Sequence, residues 1–422
     1  MKHTKVLALT GTVLALGALM SPSALAGGIS LYEVSTPDVG LASAGYAAGA
    51  QDASTLFKNP AGMSLLNGPQ LNSSLQVLYG SVNYTANALT TTSGGSGNNA
   101  VGALPGASFF LTYPVSEKLT VGFGSFSYFG LAEDYGDNWA GRYYMQKGTL
   151  MGMSLMPAAS FKVNDWLCVG GGLNAMLGYL DGHVAVRQID PIDGQMKIED
   201  TAWGFGGNFG IMIQPQKGTR IGINYLTKVD LDFSDKPSFS RLGPAMGLLL
   251  ANPPTLDLGT TVPQSVMVGI YQEINAKWAV MADVGWQDWS QFSEVTIGVD
   301  SANPSRDRDL TKSFGLKDTW HGALGAGYKY SDQWRFTGGF AYDTSAVSDA
   351  NRVLALPVGE AYRFGLGAFW KVSQSVDLGA AYEFVWAGDM PVTQSSAYRG
   401  TVSGSFDNVW FSFFSVNLNW HF

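Results

Sequence analysis

The chain has 422 residues, of which 53 are Gly, 13% are aromatic and only 14% are charged, against roughly 25% charged residues in ordinary soluble proteins. Its apolar share of 46% is ordinary, and past the first twenty-odd positions no apolar stretch reaches the about 20 residues a transmembrane helix needs, which excludes a helical membrane bundle. A formal charge of −8 with no basic block gives nucleic acid no electrostatic footprint, and one Cys with four His excludes a disulfide framework and argues against a structural zinc site. A soluble β-rich protein or a transmembrane β-barrel remains.

In chain order, Lys2 and Lys5 precede an apolar run from Val6 to Met20, followed by Ala24-Leu25-Ala26. A positive start, a short apolar segment and an A-x-A site predict a secretory signal peptide over residues 1–26. No Cys stands at the cleavage site, so no lipoprotein anchor is expected. Residues 27–68 are Ala/Gly/Ser-rich, and their apolar residues (Ile29, Leu31, Val34, Val39, Leu41, Leu56, Phe57) are too few for a core of their own. Such a segment ahead of a barrel is a tail, a periplasmic module or a plug. A wide barrel encloses a water-filled lumen, and a plug, or hatch, over 27–68 would both obstruct that lumen and find a core there.

From residue 69 to 422 the chain repeats ten to fifteen residues of alternating, Gly-dotted, aromatic-rich sequence. Short polar turns fall at 114–118, 163–165, 215–219, 273–277, 330–333 and 372–375. Longer irregular segments lie near 85–100, 130–147, 187–199, 234–259, 291–317, 346–359 and 388–407. Six turns alternating with seven loops predict an all-β fold, an antiparallel transmembrane barrel of about fourteen strands with its short turns and termini in the periplasm. Tryptophans mark the strand ends, as aromatic girdles would: Trp166, Trp278, Trp334, Trp370 and Trp420 near the short turns, Trp203, Trp289, Trp320, Trp386 and Trp410 near the long loops. In the last strand Phe414, Val416, Leu418, Trp420 and Phe422 alternate with Ser415, Asn417, Asn419 and His421, one face for lipid and one for the lumen. The terminal Phe422 fits the signal read by the barrel assembly machinery. Paired glycines (Gly122/Gly124, Gly204/Gly206, Gly325/Gly327, Gly365/Gly367) lack the third Gly and crossover helix of a dinucleotide motif. They allow close packing instead. Cys168 reads as a small wall residue.

The stretch Ser54-Thr55-Leu56-Phe57-Lys58-Asn59-Pro60-Ala61-Gly62, between a signal peptide and fourteen strands, resembles the FadL/TodX family. So do Trp289-Ser290-Gln291-Phe292, Phe314-Gly315-Leu316-Lys317-Asp318-Thr319-Trp320, and Phe340-Ala341-Tyr342-Asp343 with Asn351-Arg352. The resemblance spans nearly all the mature chain. It implies passive uptake of long-chain fatty acids or other hydrophobic compounds across the outer membrane of a Gram-negative bacterium, a hatch inside the barrel, and a kink in the third strand that opens a sideways exit into the membrane. It places Asn59, Pro60 and Ala61 against the kink, makes Gly130 the hinge where the strand Leu119–Phe129 ends, and makes Ile29 a ligand contact.

The loop 234–259 carries an apolar helix with Leu248, Leu249 and Leu250, either a capture surface for greasy ligands or a face packed against neighbouring loops. Arg142, or failing it Arg187, offers a bidentate fork for a carboxylate. The family's own carboxylate-binding arginine falls near Gly178–Tyr179, where this chain has none, so neutral hydrophobes stay open as ligands. Asp300, Asp307 and Asp309, interleaved with Arg306 and Arg308, read as a solvated or lipopolysaccharide-facing loop, not a metal site. With His183, His321 and His421 alone after signal removal and no G-x-S-x-G elbow, no enzyme is expected. No cofactor or metal is expected either, and the partners are a hydrophobic small molecule, outer-membrane lipid and lipopolysaccharide, bound to a monomer. The alternative is a general porin or adhesin without hydrophobe specificity.

Overall fold

The computed structural model describes residues 30–292, 294–300 and 308–422. The expected signal peptide over residues 1–26, Ile29, Arg306 and Asp307 lie outside the described residues. Among those residues fourteen antiparallel strands form the barrel wall. They are β1 (Gln70–Ser81), β2 (Gly102–Pro114), β3 (Leu119–Asp134), β4 (Lys147–Lys162), β5 (Leu167–Val186), β6 (Gly194–Gln216) and β7 (Thr219–Leu226). The second half comprises β8 (Ser265–Glu273), β9 (Trp278–Gln287), β10 (Thr319–Lys329), β11 (Trp334–Asp343), β12 (Ala361–Lys371), β13 (Val376–Ser396) and β14 (Gly400–His421). Each strand pairs with its chain neighbours, and β1 pairs with β14 from Gln70↔His421 to Ser81↔Trp410, which closes the sheet. Closure removes the edges that could not survive in lipid.

Each expected short turn joins two of these strands. Three of the long segments are more ordered than their sequence implies. The stretch 388–407 is a paired hairpin, from Met390↔Phe406 to Ser396↔Gly400, that prolongs β13 and β14 after a bulge between Trp386 and Met390. Its hydroxyls pair across the strands on one face (Thr393 with Ser403, Ser395 with Thr401), while Met390, Val392, Val402 and Phe406 are buried on the other; Gly388, Pro391, Gly400 and Gly404 punctuate this alternation with residues that signal loops. In the other two, 234–259 with its flanks and 291–317, Val229–Asp235, Thr255–Val262, Glu294–Asp300 and Arg308–Ser313 form a separate four-stranded sheet among the described residues. Asp309 there pairs with Gly298, where an irregular loop was expected.

Period-two alternation sorts the side chains. On β14, Phe414, Val416, Leu418, Trp420 and Phe422 face out while Ser415, Asn417 and Asn419 are buried inside. Further along the same strand the inward positions become Phe413, Phe411 and Val409, so the lumen changes from polar near the short turns to apolar towards the loops. Trp166, Trp278, Trp334, Trp370, Trp420, Trp203, Trp320 and Trp386 are exposed on the wall. Trp289 is the exception at 1% exposure; its indole N–H donates to Gln287 Oε1 at 2.7 Å and its ring meets Phe292 edge-on.

Residues 30–68 lie inside the barrel and are mostly buried. Their backbone rests directly on the wall wherever a glycine points inward. A Cβ at Gly339 would fall on the Leu41 carbonyl, one at Gly365 on the Val39 carbonyl, and one at Gly170 on the Ala61 nitrogen. Polar wall side chains take up what the backbone leaves open: Asp283 accepts from the Gly45 and Ala47 N–H groups, and Thr337 Oγ1 donates to Gly40 O at 2.9 Å.

Deleting Trp420–Phe422 removes the pairs Gln70↔His421, Leu71↔Trp420 and Val376↔Trp420 and leaves two strand ends unpaired. The truncated protein should be exported but reach the outer membrane at a small fraction of the normal level on membrane fractionation. Normal levels would contradict the closing role of this strand.

Candidate functional site: a break in the wall and the segment behind it

The ladder between β2 and β3 runs only from Pro114↔Thr120 to Phe109↔Ser125. Beyond that pair no ladder pairing joins the two strands among the described residues. β2 keeps its bonds to β1 as far as Gly102, and β3 keeps its bonds to β4 as far as Asp134. The wall meets again where Asp134 N donates to Ala100 O at 2.7 Å. The third strand therefore does not end at Gly130, as expected from sequence, but continues four residues past it. Its irregularity is a bulge between Ser127 and Phe129, which turns two consecutive residues, Tyr128 and Phe129, inward and buries both. Gly130 follows with φ +145°, and a Cβ there would lie 2.7 Å from Leu150 O. Only glycine takes this conformation without strain.

The N-terminal segment occupies the unpaired edge. Ser30 bridges antiparallel to Phe129, and Leu31 N donates to Tyr128 O at 2.7 Å. Behind it lies a small cavity lined by Leu31, Tyr46, Phe57, Tyr128, Leu226 and Met267. Phe57 packs on Phe126 and Tyr128 at ring-centroid distances of 4.4 and 4.9 Å.

The next two residues cross to the opposite wall. Tyr32 stacks on His321 at 4.2 Å, and the Glu33 carboxylate pairs with Arg363. Arg363 also bonds Asp343 at 2.5 Å and Glu383 at 3.3 Å, while His321 Nδ1 bonds Asp343 at 2.7 Å. All five ionisable groups are buried. The sequence reading passed over Glu33, Arg363 and Glu383, and weighed His321 only as an enzyme residue. The available signal was a run of charges at inward strand positions of a charge-poor chain, where burial demands pairing.

The triplet Asn59-Pro60-Ala61 sits elsewhere than the kink. Asn59 Nδ2 donates to Ala47 O at 2.8 Å and to Ile211 O on β6 at 3.0 Å, and Asn59 Oδ1 accepts from Ala61 N at 3.1 Å. Ala61 O accepts from Ser160 Oγ on β4 at 3.0 Å. The triplet thus caps the 3₁₀ turn Pro60–Leu65 and seats it where Gly170 lets the Pro60–Ala61 backbone, and Gly210 the Asn59 side chain, approach the wall. The expected cover for β3 comes instead from Leu31, the nearer donor.

At the loops, Arg142 is not a free fork. Its Nε bonds Asp193 at 2.8 Å, its Nη2 donates to Tyr143 Oη at 3.0 Å, and its Nη1 donates to Ser93 O. Burial alone would lower its basicity, but the Asp193 carboxylate beside it raises it. Arg187 is exposed, its guanidinium 4.5 Å from the centre of the Tyr143 ring. In the helix Pro244–Leu249, Leu248 is 84% exposed, Leu249 is half-buried and Leu250 is buried, so one leucine of the expected three faces solvent. The sequence reading missed Ile189 and Ile192, both exposed on the β5–β6 loop. That loop is tied to the helix loop through Gln188, which donates to Arg241 O at 2.9 Å and accepts from Gly243 N at 2.9 Å. The apolar residues Ile189, Ile192 and Leu248 therefore belong to two joined loops.

Comparison with known proteins agrees with this architecture. Outer membrane protein P1 of Haemophilus influenzae is 29% identical over 90% of this chain and 90% of its own length. The long-chain fatty acid transport protein of Escherichia coli strain K12 is 27% identical over 86% of this chain and 89% of its own. Among solved structures, a FadL homologue of Pseudomonas aeruginosa superposes with a TM-score of 0.83 at 19% identity, covering 94% of this chain and all of that one. The Ralstonia pickettii toluene transporter TbuX gives 0.67 at 20% identity over 92% and 98%; both likenesses are of fold. The model of the outer membrane protein transport family (OMPP1/FadL/TodX) matches residues 17–422. This chain accordingly belongs to that family of hydrophobic-compound transporters of the Gram-negative outer membrane, which are not enzymes.

Proposed function

We propose that the protein takes up long-chain fatty acids or hydrocarbons passively, with capture at the loops and release sideways through the break between β2 and β3. The observation that carries this reading is that, among the described residues, the unpaired β3 backbone is covered by the Ser30–Leu31 segment on Tyr128 and Phe129 and not by a neighbouring strand. The named activities of relatives, fatty-acid transport in Escherichia coli and toluene transport in Ralstonia pickettii, support a hydrophobic cargo. Residues 27–68 serve as the hatch and 69–422 as the channel. A general porin fits less well, because the hatch residues fill the lumen that ions would use.

Energetics favour a sideways exit. Transfer from apolar surroundings to water costs about 0.8 kcal/mol per CH₂, so a sixteen-carbon chain leaving into the periplasm faces on the order of 10 kcal/mol. Leaving through the wall keeps the chain in an apolar phase. The obstacle is then Ser30–Leu31, held at β3 by hydrogen bonds worth about 0.5–1.5 kcal/mol each. Displacing this segment while Glu33 stays on Arg363 opens the cavity behind it towards lipid.

Two outcomes follow. Gly130→Val places a branched side chain at φ +145° against Leu150 O, a local strain of about 1–3 kcal/mol that a closed barrel absorbs. Uptake of radiolabelled palmitate should be lost while heat-modifiable mobility on gels stays normal. Full uptake would show that the kink geometry is dispensable. Deleting residues 27–68 behind an intact signal peptide should convert the protein into an ion-conducting pore in planar bilayers; a non-conducting barrel would mean that something other than the hatch blocks the lumen.

A further inference from the structure

Two arginines at the loop face stand together without a counter-charge among the described residues. Arg399 lies in the turn between β13 and β14, its guanidinium 5.5 Å from the centre of the Tyr144 ring. Arg187, from the β5–β6 loop, lies over Tyr143, and its Nη2 is 3.9 Å from where a Cβ on Gly400 would stand. Tyr144 ties the two together, since its hydroxyl donates to Gly400 O at 2.7 Å and feels both guanidinium charges. Tyr143 and Tyr144 are buried, so these rings form a fixed floor on which the cations rest. Neither guanidinium has a hydrogen bond or a carboxylate partner among the described residues. The nearby acid, Asp193, is taken by Arg142 and by the Tyr143 hydroxyl. Burial pushes Arg399 down to about 10 against the opposing pull of Tyr144. Like charges gathered this way repel, and a guanidinium fork matches a carboxylate or phosphate edge.

We infer that Arg187 and Arg399, on the floor of Tyr143 and Tyr144, form an oxyanion site that holds the carboxylate headgroup of an amphipathic hydrophobe at the loop face. The inference rests on the transport reading above and narrows its cargo. The carboxylate source is favoured by what adjoins the site. Ile189 and Ile192 follow Arg187 on the same short loop and, with Leu248 on the loop joined to it, supply apolar contacts for a chain whose head is held by the arginines. It also assigns a role that Arg142, already neutralised by Asp193, cannot fill. A lipopolysaccharide phosphate shares the oxyanion chemistry but brings its own acyl chains into the membrane, and has no use for an apolar rim among loops.

The test uses the full mature protein in detergent, with palmitate, hexadecanol of equal chain length, and lipid A as probes. The unmodified protein should bind palmitate more tightly than hexadecanol. Replacing both arginines (Arg187→Gln with Arg399→Gln) should weaken palmitate about tenfold or more, as for loss of charge-assisted bonds, and leave hexadecanol nearly unchanged. Arg187→Gln alone, at an exposed position, should move palmitate in the same direction by less, which guards against a folding defect in the double variant. Unchanged palmitate affinity in the double variant overturns the site. Loss of lipid A binding with palmitate unchanged overturns the carboxylate assignment in favour of lipopolysaccharide. If the unmodified protein binds neither palmitate nor hexadecanol, the transport reading itself fails and the site falls with it; binding of both with no change in the variants removes the site alone.

Discussion

A backbone N–H or C=O cannot be left unpaired in hydrocarbon, and this constraint governs the region that makes the barrel more than a closed wall. Where β3 parts from β2 above Phe109↔Ser125, the wall breaks the rule that the rest of the sheet obeys. The debt is met from inside by the N-terminal segment, which pairs Ser30 with Phe129 and gives Leu31 N to Tyr128 O. Two residues on, the same segment is fixed by Tyr32 on His321 and Glu33 on Arg363. These two attachments differ in strength. At the second, a buried carboxylate meets a guanidinium and a ring meets an imidazole, and charge-assisted bonds are roughly twice as strong as neutral ones; at the first, each neutral backbone hydrogen bond contributes about 1 kcal/mol. On the proposed route, the segment yields first at the wall break and last at Arg363, as a gate turning on a fixed post would.

The hatch and the wall are one packing problem. Residues 30–68 have too few apolar side chains to fold alone, and the barrel supplies what they lack. Inward glycines at Gly170, Gly222, Gly339 and Gly365 bring hatch backbone against strand backbone. Inward Asp283, Thr337, Asn208 and Ser160 then satisfy hatch backbone groups. Arg335 and Asn72 hold the side chains of Gln51 and Asp52 at 3.0 Å each. These polar contacts hold the hatch in place without disulfides, and the described residues contain a single buried cysteine, Cys168, packed beside Ala61 and Met212.

How much of this was legible follows from which signals are local. Strand number, turn positions and the two faces of β14 could be read because period-two alternation and turn residues are written within a dozen positions. The hairpin over 388–407 was not, because Gly388, Pro391, Gly400 and Gly404 interrupt its strands with loop-like residues although Met390, Val392, Val402 and Phe406 form a buried apolar face. Gly130 stands out in the sequence, but the bulge at Tyr128 does not, since a bulge exists only in the register with β4. The partners of Asn59 were misassigned because Ile211 lies 152 residues away on another strand. The same limit applied to the arginines. Arg142 and Arg187 look alike in sequence, and only the folded loops place Asp193 on the first and Arg399 near the second.

The sideways route is tested most directly by closing it. Ala107 and Ser127 would be partners if the β2–β3 ladder continued two steps past Phe109↔Ser125. Cysteines at both, in a Cys168→Ser background, can be joined by a disulfide only if the break is drawn shut. Palmitate uptake by cells carrying this protein should stop when the disulfide is formed and return on reduction. Uptake that proceeds equally with the crosslink in place would contradict exit through the wall.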